Sequence, residues 1–139
     1  MGHKPNSIIL DSWSVTAYLE DETAGRRVAD LITEATRDCT ALLMTAISAG
    51  EVWYIFARGT SEIEADQAIA EIESLGIEFV DVDWKLAESA ARFKARYKMS
   101  YADGFAAALS TREKGAILVT GDKEFKRVEK EVKILWLNG

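Results

Sequence analysis

The amino-acid sequence predicts an α/β domain, an open and mainly parallel sheet of five strands with helices on both faces. Three observations predict it. Short apolar, β-rich runs alternate with longer amphipathic stretches, strand then helix repeated, which is how a sheet with crossover helices is written. The strand runs are almost continuously apolar, as strands covered on both faces must be. No repeat, low-complexity tract or Pro/Ser linker interrupts the 139 residues, and the one proline, Pro5, precedes the first strand. A single domain over 1–139 follows, with 1–6 a flexible extension.

The expected strands are SIIL (7–10), TALLM (40–44), IEFVDV (77–82), AILVT (116–120) and VKILWL (132–137). Helices are expected at 13–20, 26–37 and 46–58. In 62–75, Ile69, Ile72 and Leu75 fall at threes, and Gly76 is placed to end the helix. Asp83 can cap 84–98, where Leu86, Ala90, Phe93 and Tyr97 are spaced by four, three and four. Ser100 can cap 101–113, whose third residue is Asp103, a Ser-x-x-Asp form of the capping box. A last helix is expected at 122–129.

Composition narrows the chemistry. Lys plus Arg is 17 and Asp plus Glu is 23, a net charge of −6, so a phosphate ligand must be met by local basic patches or a bound cation. The lone Cys39 excludes an intrachain disulfide and a cysteine-cluster zinc site and points to a reducing compartment. No apolar run approaches a membrane span or a secretory signal, and a cytoplasmic, membrane-free protein is expected. His3, the only histidine, falls in the N-terminal tip, which leaves acid/base work to carboxylates, hydroxyls, lysines and arginines.

Carboxylates then recur in one topological setting. Asp11 follows the first strand directly, and Asp122 follows AILVT by one glycine. Asp103 opens its helix. Glu51 lies in AISAGEVWYIF, an otherwise apolar helix where an unpaired carboxylate is expensive to bury. In open α/β sheets, ligands bind beyond the carboxyl ends of the strands at the switch in strand order. Acids gathered there about 4 Å apart repel by roughly 4 kcal/mol per pair at an effective dielectric of about 20. Such a cluster needs a cation or raised pKa values, and all-oxygen donors suit Mg²⁺ or Mn²⁺. The matching chemistry is metal-assisted phosphoryl transfer. Each acid also has a plain local reading, Asp11 and Asp122 as helix caps and Glu51 as a solvated helix residue.

The succession IILDSWSVTAYL, AGEVWYIF, SYADGFAAAL and ILVTGDKEF resembles the PIN domain, and within it the VapC ribonuclease toxins of type II toxin–antitoxin pairs. The resemblance runs from about residue 7 to the C-terminus. It implies a three-layer α/β/α fold with a central parallel sheet and a Mg²⁺- or Mn²⁺-dependent endoribonuclease that leaves a 5′-phosphate and a 3′-hydroxyl. By matching motif it makes Asp11, Glu51, Asp103 and Asp122 the catalytic and metal-binding acids, with Glu51 positioning the metal or the water. It further implies an RNA substrate, a cognate antitoxin whose tail enters the site, and a homodimer. Ser12 and Thr120 match positions where the family often carries a hydroxyl near the acids. Trp13 departs from the family, where a small polar residue is commoner, and alters the mouth of the site.

Glu124 is read as a solvated helix acid, with an outer metal ligand as its other role. Trp13 and Trp53 each lie two residues beyond a candidate acid and can line a cleft or pack, whereas Trp84 and Trp136 are assigned to packing. Lys85, Arg92, Lys94, Arg96 and Lys98 against Glu88, and the basic stretch 123–133, are candidate RNA tracks or solvated faces. Two other functions compete. One is a non-catalytic PIN-like RNA-binding or scaffold module. The other is a phosphoaspartyl protein, which the lack of an acid two residues after Asp11 disfavours.

Overall fold

The computed structural model describes residues 4–138, so the expectation for His3 lies outside the described residues. Five strands form one sheet: β1 (Ser7–Leu10), β2 (Ala41–Thr45), β3 (Ile77–Val80), β4 (Ala116–Thr120) and β5 (Ile134–Trp136). Their order is β3-β2-β1-β4-β5 and every pairing is parallel. Six α-helices intervene: α1 (Ser12–Leu19), α2 (Thr23–Asp38), α3 (Ala46–Gly59), α4 (Glu62–Ser74), α5 (Trp84–Arg96) and α6 (Tyr101–Arg112).

Alternation along the strands sorts the core into two layers. Ile9, Leu43 and Leu118 pack with Leu86, Phe93, Phe105 and Leu109 of α5 and α6. Their neighbours Ile8, Leu10, Leu42, Met44 and Val119 pack on the other side with Val15, Val28, Ile32, Val52 and Ile72 of α1 to α4. The expected three-layer α/β/α architecture is therefore present, with a sheet that is parallel throughout. Strand order reverses between β1 and β4, so the switch point lies at their carboxyl ends.

The expected caps form. Asp83 Oδ1 accepts from Leu86 N at 2.8 Å, and Ser100 Oγ accepts from Asp103 N at 3.1 Å. Gly76, at φ +85°, follows the end of α4. The segment expected as helix 122–129 is instead a 3₁₀ turn over Lys123–Val128, with Phe125 and Val128 pinned in the core at threefold spacing. Trp84, expected to pack, is at the first position of α5 and its side chain stands 73% exposed. Near the N-terminus, Lys4 Nζ pairs with Asp38 at 3.1 Å and Asn6 N donates to Gly115 O at 2.9 Å.

Helix α6 is buried from Asp103 through Ser110. Its alanines and Gly104 let neighbours approach: a Cβ on Gly104 would lie 2.9 Å from the backbone oxygen of Ala90 in α5. Gly104→Ala is therefore expected to destabilise the fold by about 1–3 kcal/mol through overpacking. Gly50→Ala, on α3 where a Cβ meets nothing within 4 Å, is expected to be neutral or to stabilise by up to about 1 kcal/mol. Urea or thermal unfolding distinguishes the pair, and equal effects would contradict the close α5–α6 packing.

Candidate active site

Parallel pairing sets the first pair of groups side by side. Leu10 is in register with Val119, so the next residues, Asp11 just past the end of β1 and Thr120 at the last position of β4, lie side by side. The Thr120 hydroxyl donates to Asp11 Oδ2 at 2.5 Å and accepts from Asp122 N at 3.0 Å. One buried hydroxyl thus ties both strand-end acids to the switch point. Asp11 is also the cap of α1, its Oδ1 accepting from Ser14 N at 2.9 Å, and Asp122 caps the 3₁₀ turn through Glu124 N at 3.0 Å. Capping and clustering are compatible, because a carboxylate has two oxygens and several lone pairs.

Across from these, Asp103 is aimed by the first turn of α6. Glu51 lies on α3, half-buried, with Oε1 accepting from the Ser12 hydroxyl at 2.6 Å. An open cleft of about 440 Å³ brings together Ser12, Glu51, Ser100, Asp103, Asp122 and Glu124. Asp11 lies behind it, 2% exposed. Carboxylate oxygens of Asp103, Asp122 and Glu124 fall within 4.8 Å of one another.

The electrostatics match the crowding. Burial raises Asp103 from an ordinary 3.8 to about 7, helped by the charges of Asp122, Asp11 and Glu51. Burial likewise raises Asp11 from 3.8 to about 6, against the hydrogen bonds from Thr120 and Ser14 that favour its anion. The four acids therefore share one electrostatic neighbourhood.

Sequence reasoning undervalued Glu124, whose carboxylate joins the cluster because the 3₁₀ turn brings it beside Asp122. It missed Glu22, which lines the cleft and whose position in a polar loop carried no signal. It also gave no role to Thr16, which lines the cleft and whose buried hydroxyl has no hydrogen-bond partner among the described residues. Trp13 lines the cleft, its ring lying on Gly121 so closely that a Cβ there would meet it at 2.2 Å. Trp53 does not: its indole N–H donates to Asp66 Oδ1 at 2.9 Å, tying α3 to α4. On α5, Arg92 pairs with Glu88, Arg96 with Glu131, and Lys94 donates to Met99 O.

The raised acids set a pH dependence. Between pH about 4 and 7 the native chain holds protons on Asp11 and Asp103 that the unfolded chain releases, so native stability falls as pH rises through that window and the loss is complete above it. Asp103→Asn removes one charge at nearly constant shape. In EDTA it is expected to raise Tm at about pH 8, by about 4 °C per kcal/mol recovered in a chain of this size, and to change it little at about pH 5. A variant no more stable than the wild type at about pH 8 would contradict the charge crowding.

Solved structures share this fold. A chain of the DNA-bound VapBC complex from Salmonella typhimurium superposes with a TM-score of 0.72 at 17% identity, covering 94% of this chain and 98% of that one. A chain of VapBC2 from Rickettsia felis, bound to a fragment of its promoter DNA, gives 0.68 at 16%, covering 92% and 96%. VapC20 of Mycobacterium tuberculosis, a sarcin–ricin loop cleaving toxin, gives 0.66 at 21%, covering 88% and 95%. At these identities the likeness is one of fold. No curated protein matches the sequence. The family description of the PIN domain, however, matches residues 8–131, from β1 past the 3₁₀ turn, and the chain belongs to the PIN domain family.

Proposed function

We propose that this PIN domain is a Mg²⁺- or Mn²⁺-dependent endoribonuclease, the toxin of a toxin–antitoxin pair, working in the cytoplasm as a homodimer with a cognate antitoxin. The observation that carries the reading is the convergence of carboxylates from β1, α6 and the loop after β4 at the switch point of the sheet. The fold likeness to VapBC and VapC structures supports the antitoxin partnership. No helix among the described residues is long and apolar enough to cross a membrane.

The donor set fits the ion. It is all carboxylate oxygen, as Mg²⁺ and Mn²⁺ prefer. Carboxylate oxygens of three residues already fall within 4.8 Å of one another, so side-chain rotation would bring them onto one ion. Asp103 and Asp122, with Glu124 as an addition to the expected set, would hold it, and Asp11 adds its buried charge directly or through water. When bound, the ion neutralises phosphate charge and lowers the pKa of a water molecule.

The chain's own residues do the rest. Ser12 holds Glu51 by one oxygen, leaving the other free to orient the attacking water and accept its proton. Thr120 fixes Asp11 and the backbone of Asp122, so the cluster is assembled before substrate arrives, and preorganised charge needs no rearrangement during reaction. Hydrolysis in line with the leaving oxygen would give a 5′-phosphate and a 3′-hydroxyl.

Purified, antitoxin-free protein is expected to cut mixed structured RNA with Mg²⁺ or Mn²⁺ and to stop in EDTA. Asp103→Asn is expected to lose more than roughly the hundredfold that disturbing a ligand's supporting contacts costs. Cleavage that survives EDTA, or that the variant retains, would overturn the proposal; RNA bound and never cut would favour a non-catalytic module.

A further inference from the structure

The strip of chain 121–124 has two sides. On one, Asp122 and Glu124 close the acidic cleft. On the other lies a second open hollow, of about 590 Å³, lined by Lys123, Lys126, Glu129, Trp136 and Asn138. Lys123 stands in sequence between the two cleft acids, so the chain passes from cleft to hollow and back within three residues.

The hollow opposes the charge of the molecule. In a chain of net charge −6 it carries two lysines against one glutamate. Among the described residues neither lysine makes an ion pair, whereas Arg127 next to them pairs with Glu124 at 3.6 Å. Glu129 is already engaged, because the Trp136 indole N–H donates to its Oε2 at 2.9 Å. That bond and packing against the α5–α6 layer of the core hold the Trp136 ring in one orientation while it still lines the hollow. Asn138 Nδ2 donates to Gly121 O at 3.0 Å, which leaves its Oδ1 as an acceptor. Free cations, an aromatic ring held in place and an amide oxygen match what a single-stranded nucleotide offers: phosphate, base face and base edge.

We infer that this hollow is a nucleotide subsite flanking the scissile bond. Lys123 and Lys126 hold a backbone phosphate of single-stranded RNA, and Trp136 stacks the neighbouring base. The inference rests on the ribonuclease reading of the acidic cleft. It gives that cleft, which is itself negative, a means of drawing in a polyanion from one side, and it gives Trp136 a role in addition to packing.

The test has two arms on the full chain. In the first, a short labelled single-stranded RNA of mixed sequence is titrated against proteins that all carry Asp103→Asn, so that it is bound without being cut. Adding Lys123→Ala with Lys126→Ala is expected to weaken binding about tenfold and to lower the salt slope by about 0.7 for each phosphate no longer neutralised. Trp136→Leu is expected to weaken it roughly 5- to 100-fold, as removal of one stacking platform does, while Trp136→Phe, which can still stack and pack, stays close to the parent. In the second arm, hydrolysis of bis(p-nitrophenyl) phosphate with Mn²⁺, a diester too small to span both sites, is expected to be unchanged by the lysine and tryptophan substitutions alone. RNA affinity and salt slope unmoved by the substitutions, with diester hydrolysis intact, would overturn the subsite and leave the nuclease standing. An unsubstituted protein that hydrolyses neither RNA nor the small diester would remove the nuclease reading and the subsite with it.

Discussion

The parallel pairing of β1 with β4 is the constraint on which the rest of the molecule depends. β1 is the central strand and β4 lies beside it, and their register sets Leu10 opposite Val119. From that register Asp11 and Thr120 lie side by side, and the 2.5 Å bond between them is the consequence. A one-residue slip of β1 would turn its side chains to the opposite face, taking Ile9 out of the layer it shares with Leu118 and carrying Asp11 away from Thr120. The same apolar contacts that stabilise the sheet therefore fix the geometry of its polar end.

That end runs against the stability of the chain. Two aspartates are buried beside further carboxylates, and both are pushed toward neutrality by burial. The cost is carried by a large, alternating core on both sides of the sheet and by local hydrogen bonds at each acid: Thr120 and Ser14 on Asp11, Ser12 on Glu51. Such crowding is relieved when positive charge enters. The surroundings extend this logic, since acids line the cleft while Lys123 and Lys126, which make no ion pair among the described residues, line the neighbouring hollow.

Much of this was legible in the sequence for identifiable reasons. Continuous apolar runs can be buried on both faces only in a covered sheet, which gave the five strands and their parallel sense. Asp11 and Asp122 follow strand ends and Asp103 opens a capped helix, positions compatible with one edge of the sheet. Glu51 stood out because the helix around it is apolar. Glu124 did not, since an exposed acid on a basic segment looks solvated and only the tight 3₁₀ turn carries it back to Asp122. The helix expected at 122–129 tightened because Phe125 and Val128 must both reach the core. Trp84 was misread because large aromatic residues usually bury area, whereas at the head of α5 nothing covers it. Trp136 does pack, but its second face on a hollow depends on folding that brings β5 beside 121–124, which no local pattern encodes.

The central claim is that these carboxylates form one divalent-cation site at the switch point. Diffraction from crystals of the protein soaked in Mn²⁺, recorded at the manganese edge, tests it most directly. The account predicts an anomalous peak between the carboxylates of Asp103, Asp122 and Glu124, near Asp11. A fully soaked crystal with no peak there, or with its manganese bound only elsewhere, would contradict it.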